Sequence, residues 1–151
     1  MRHRLALTGI ALCAAAFHPV AAQQGDTSRV RQLETATWRQ VADGVEMALV
    51  DGNPQSTGDF TYLMRFRAGK FIPPHFHPNE TRVLVVSGEV RVGFGDQLDT
   101  LHARVVGVGG FAAIPGGAHH FEAGKTDAVV FLTGPGPLKT TMVGGAASGH
   151  P

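Results

Sequence analysis

The chain has 151 residues, a formal net charge of +1, 20 glycines and one cysteine. That length supports one domain with one core, and the near-neutral charge, with no basic stripe, gives no reason to expect nucleic acid as a partner. Cys13 alone excludes an intrachain disulfide framework and a multi-thiolate metal site, so any metal has to be held by imidazole and carboxylate.

Residues 1–22 read as a secretory signal peptide. Arg2 and Arg4 give a positive start, residues 5–17 an apolar run, and Val20-Ala21-Ala22 a small-residue cleavage site. The run is short for a bilayer span. The expected protein is therefore periplasmic or secreted, with no membrane attachment after cleavage, and Cys13 leaves with the signal. Residues 23–43 are polar and mixed, an N-terminal arm that is either loose or carries a short helix through Val30 and Leu33.

From Gly44 the character changes. Residues 45–50, V-E-M-A-L-V, form a strand, and D-G-N-P at 51–54 is a turn. Residues 60–67 alternate, with Phe60, Tyr62, Met64 and Phe66 on one face and Thr61, Leu63, Arg65 and Arg67 on the other, as in a half-buried strand. Tyr62 and Met64 are core candidates that could also line a pocket. Further short strands are expected at 81–87, 89–96, 104–108, 111–115, 119–122 and 128–133. About eight strands between glycine-rich turns, with no long helix, predict an all-β barrel or sandwich over residues 44–143. Residues 144–151, G-G-A-A-S-G-H-P, read as a flexible tail.

Two segments carry chemistry. In G-K-F-I-P-P-H-F-H-P-N-E-T, His75 and His77 lie two apart and leave the same face of an extended chain, which makes half of a first-row metal site. Iron, zinc, manganese, nickel and copper all accept such a pair. The plain alternative is a pair of surface histidines on an edge strand. In G-G-F-A-A-I-P-G-G-A-H-H-F, a turn precedes His119 and His120, and only one of two adjacent strand residues can face inward. Glu122 is in phase with His120 and is a weak candidate for pairing with a ligand ring.

These segments resemble the two motifs of the cupin superfamily. Gly69, His75, His77 and Gly88 are spaced as in the first motif; Gly109, Pro115, Gly117 and His120 are spaced as in the second. The resemblance covers about residues 44–133 and is greatest to small exported single-domain cupins. It implies a double-stranded β-helix, a conical jelly-roll-like barrel that often forms a homodimer, with one divalent transition metal near the wider mouth. Carried over by position, His75, His77 and His120 would be its ligands; His119 beside them is either a pocket or supporting residue paired with a carboxylate or a solvent-facing neighbour.

The chain departs from the pattern in two places. The motif-one glutamate is replaced by Thr81, with Glu80 one position early, and the motif-two asparagine by Gly124. On a strand a one-residue shift turns a side chain to the other face, so a three-histidine site with Thr81 anchoring water is favoured. A bulge at Pro78-Asn79 would instead bring in Glu80 as a fourth ligand. The resemblance implies a metal-dependent, dioxygenase-type oxidoreductase acting on a small organic molecule, with iron favoured. The alternative is a non-catalytic metal or small-ligand sensor.

Overall fold

A computed structural model describes residues 32–144. The signal peptide expected at 1–22 and nearly all of the tail expected at 144–151 lie outside the described residues. After a 3-10 turn at Leu33–Thr35 come eleven strands: β1 (Arg39–Ala42), β2 (Val45–Gly52), β3 (Asp59–Phe66), β4 (Phe71–Phe76), β5 (Thr81–Ser87), β6 (Val90–Phe94), β7 (Arg104–Val106), β8 (Phe111–Ile114), β9 (His120–Gly124), β10 (Ala128–Pro135) and β11 (Thr141–Met142). They form two antiparallel sheets, ordered β1-β2-β3-β10-β5-β8 and β11-β4-β9-β6-β7. The fold is all-β, as the turn-punctuated alternation predicts, and takes the cupin barrel form that the motif resemblance implies.

The core lies between the sheets because alternate residues of the long strands are apolar. Phe60, Tyr62, Met64 and Phe66 of β3 pack with Val83 and Val85 of β5, Val90 and Val92 of β6, and Val130 and Leu132 of β10. Each fully buried aliphatic or aromatic side chain of this kind is worth about 1.5–3 kcal/mol relative to exposure. Gly93 of β6 stands directly opposite Phe121 of β9, and a Cβ there would overlap the aromatic ring. The turn from β5 into β6 is made at Gly88, whose φ of 70° suits a residue without a side chain.

Two features differ from the alternation reading. Leu63, assigned to the solvent side of β3, is fully buried, and it borders a small cavity together with Gln32, Thr35 and Ala36. The described part of the arm is also tied to the sheet rather than loose. Strand β1 pairs with β2, and Trp38 lies 4.3 Å from the Arg65 guanidinium. That guanidinium donates to Glu46 at 2.8 Å. Short segments such as 39–42 carry too little periodicity to identify a strand, and a neighbouring edge decides their state.

Candidate metal centre

Strand β4 lies between β9 and the two-residue β11. Ile72 pairs with Glu122 and His75 with His120, so β4 advances three residues where β9 advances two. The extra residue is a bulge at Pro73-Pro74, and its cause is local: proline has no N–H to give to the ladder. The bulge resets the phase of the strand and turns His75 inward beside Ile72. Phe76, next in the chain, stacks on His119 with ring centroids 4.9 Å apart. His77 follows the end of the strand and is buried again.

The three predicted imidazoles come together. Ring centroids are 4.3 Å apart for His75 and His120, 4.9 Å for His75 and His77, and 5.3 Å for His77 and His120. One ligand atom from each lies within 4.8 Å of the other two. Every ring is held by a backbone carbonyl at Nδ1: Pro73 at 2.8 Å from His75, Lys139 at 3.1 Å from His77, and Ala118 at 2.8 Å from His120. With Nδ1–H donating, Nε2 carries the free lone pair, the tautomer a metal requires. Burial, then the neighbouring His120, pushes the His75 pKa down to about 4. Burial, then His75, does the same for His77, also to about 4. Both rings are neutral near pH 7, ready to coordinate without first losing a proton.

Glu122 lies beside the group. It alternates with His120 along β9, is buried, and has Oε1 3.5 Å from His120 Nε2 and Oε2 3.9 Å from His75 Nε2. Burial raises its carboxyl pKa, with His120 and then His77 pulling the other way. Three buried side-chain atoms have no hydrogen-bond partner among the described residues: His120 Nε2, Glu122 Oε2 and Thr81 Oγ1. Buried polar atoms are rarely left so, and two of the three are nitrogen and oxygen donors at the centre of the cluster. The donor set therefore fits a divalent first-row ion.

The other sequence-derived residues fall elsewhere. Glu80 is not brought to the cluster. Its carboxylate lies 2.6 Å from the Arg82 guanidinium, with both side chains over 40% exposed. The register break sits before the histidines, at Pro73-Pro74; the chain bends at Pro78-Asn79 between β4 and β5, and Glu80 stays outside. Thr81 is buried on the opposite parity. His119 is turned away from the cluster, paired at 2.6 Å with Asp96 and stacked on Phe76. Glu122 was legible in the sequence only through its phase with His120.

A cavity of about 380 Å³ adjoins the cluster, bordered by His75, His77 and Glu122 and walled by Met47, Met64, Ile72, Leu132, Leu138 and Met142. Met64 thus serves core and pocket together. Tyr62 borders a neighbouring cavity of about 450 Å³ that also contains Arg39 and Gln40. Burial raises the Tyr62 phenol pKa, partly offset by Arg39.

The fold and the clustered imidazoles define a cupin whose three-histidine group could bind a metal. Residues 26–139 match the model of the ChrR cupin-like domain, and the chain belongs to that family. It is 36% identical over 113 residues to germin-like protein 3-3 of Oryza sativa subsp. japonica, covering 70% of this chain and 44% of that protein. To oxalate oxidase 1 of Hordeum vulgare it is 34% identical over 113 residues, covering 70% and 49%. The chain thus spans about half the length of these curated relatives. A solved oxalate oxidase structure superposes with a TM-score of 0.59 at 27% identity, covering 83% of this chain and 68% of that one.

Proposed function

We propose that the chain is an exported, metal-dependent oxidoreductase of the dioxygenase type, acting on a small, uncharged and largely apolar organic molecule. The observation that carries this reading is the convergence of three pre-oriented imidazoles, two of which, His75 and His77, border an apolar cavity. A bound divalent ion would supply Lewis acidity and, if it is iron, redox chemistry with dioxygen; zinc, manganese, nickel and copper suit the same donors. The chain's own residues orient the donor atoms through three backbone carbonyls, keep water from the cavity with methionine and aliphatic walls, and confine the substrate beside the rings. In a dioxygenase reaction both atoms of dioxygen enter the organic product, so no external reductant is needed.

The cavity wall also bears on substrate charge. Among the described residues it contains one carboxylate, Glu122, and neither arginine nor lysine. A dianion such as oxalate, the substrate in the names of the oxalate oxidases, would lose its hydration there with the bound ion as its sole cationic partner among the described residues. An uncharged diketone, phenol or similar molecule meets no such penalty. Export rests on the pattern of residues 1–22, and pairing of two barrels belongs to the same reading.

The test is metal analysis of tag-free protein, followed by oxygen uptake by the iron-loaded protein with diketones, phenols, thiols and oxalate. Uptake with an uncharged substrate exceeding that with oxalate is expected. Metal binding without uptake on any substrate would leave the sensor reading in its place.

A further inference from the structure

We propose that Glu122, on the second histidine strand, is the carboxylate ligand of the metal centre, completing a set of three imidazoles and one carboxylate for a divalent first-row ion. The inference rests on the metal-binding reading above and specifies its fourth donor.

The separations carry it. Donor atoms bound at about 2.1 Å to one ion stand about 3.0 Å apart when adjacent and about 4.2 Å apart when opposite. Glu122 Oε1 is 3.5 Å from His120 Nε2, and the other oxygen, Oε2, is 3.9 Å from His75 Nε2, so each oxygen stands within that interval of one ring. Both are too long for good hydrogen bonds, which cluster near 2.7–3.2 Å. Oε2 and His120 Nε2 accordingly have no partner. The pairs are spaced as co-ligands rather than as donor and acceptor.

A supporting role for Glu122 through ring orientation has no atom to act on. Such a carboxylate accepts from the ring N–H remote from the metal. In His75, His77 and His120 that position is taken by the carbonyls of Pro73, Lys139 and Ala118. Enclosure of a carboxylate without a cation is costly, and the ion-pairing neighbours of Glu122 among the described residues are the His75 and His120 rings alone. A dication shared with the rings removes that cost. Glu80, the other candidate carboxylate, is occupied outside by Arg82.

The test titrates Co²⁺ into metal-free full-chain protein and into the Glu122→Gln, Glu80→Gln and His120→Ala variants, following the visible d–d spectrum. Glu122→Gln is expected to weaken Co²⁺ binding by about 100-fold and to change the spectrum, while Glu80→Gln leaves both unchanged. Thermal unfolding of the metal-free Glu122→Gln protein checks that it folds. A crystal structure of the Co²⁺-loaded wild type gives a reading independent of any variant, with a Glu122 oxygen expected about 2.1 Å from the ion. Wild-type affinity and spectrum in Glu122→Gln, or a carboxylate more than about 3 Å from Co²⁺, would overturn the inference and leave a three-histidine site. Failure of the wild type to bind Co²⁺, Zn²⁺ or Fe²⁺ would instead remove the metal reading on which it stands.

Discussion

The two strands that deliver the imidazoles reach the same point by different means. Strand β9 lies between β4 and β6, is in unbroken register with β6, and has all five residues buried. It projects His120 and Glu122 by simple alternation. Strand β4 has a tiny partner on one side and a register break at Pro73-Pro74 on the other. Its histidines are aimed by a bulge and by carbonyl contacts. A site built this way has one side fixed by the sheet and one side set by irregular backbone, so damage to the two should differ in kind.

The largest effect is expected for His120→Ala, which removes the ring from the fully enclosed strand. Metal affinity should fall by more than about 1000-fold, equivalent to about 4 kcal/mol, in a competitive chelator titration. Retention of tight binding would mean that β9 is not the anchor.

Gly93→Ala tests how firmly β9 is seated. The new methyl overlaps Phe121, and a loss of about 3 kcal/mol is expected in denaturant unfolding, with metal affinity falling alongside. On the β4 side, Pro74→Ala is expected to cost only about 1 kcal/mol, chiefly by freeing the unfolded chain. A larger loss for Pro74→Ala than for Gly93→Ala would reverse the contrast between the strands.

Acid should act through the β4 side. Burial holds the pKa values of His75 and His77 near 4 in the metal-free fold, against about 6.5 for a free imidazole. Between pH 6.5 and 4 the unfolded chain therefore binds more protons, and stability falls as pH falls through that window. The loss is on the order of 3 kcal/mol per ring at most, read from urea midpoints across pH. Glu122, with its raised pKa, acts in the opposite sense and blunts the trend. A flat profile in the metal-free protein would mean that the two rings are hydrated.

The smallest effect is expected at Thr81, whose buried hydroxyl has no partner. Thr81→Val should leave stability unchanged or raise it by about 1 kcal/mol, and leave metal affinity intact. A clear loss of affinity would restore the role of water anchor suggested by the motif spacing.

Much of this was legible in the chain. Alternation identified β3, β5, β6 and β10, and the H-x-H spacing together with the second motif selected the three histidines that converge. Leu63 was assigned to solvent because alternation says only that a residue lies on the far face, not what covers that face. Segment 39–42 was read as arm because four residues carry too little pattern.

The carboxylate was the hardest part to read. Spacing within one segment directed attention to Glu80 and Thr81, since one-dimensional motifs compare positions along a strand. The structure turns attention to Glu122, which nears His75 only across the ladder between β4 and β9.

The sequence by itself determined the all-β class, through strand period and turn chemistry, and its resemblance to the two cupin motifs selected the barrel and the three rings. Tertiary structure alone decided which carboxylate stands beside them. The reason is that local periodicity specifies the face a side chain takes, whereas distance across a sheet depends on register, and here register was reset by two prolines that cannot donate to the ladder.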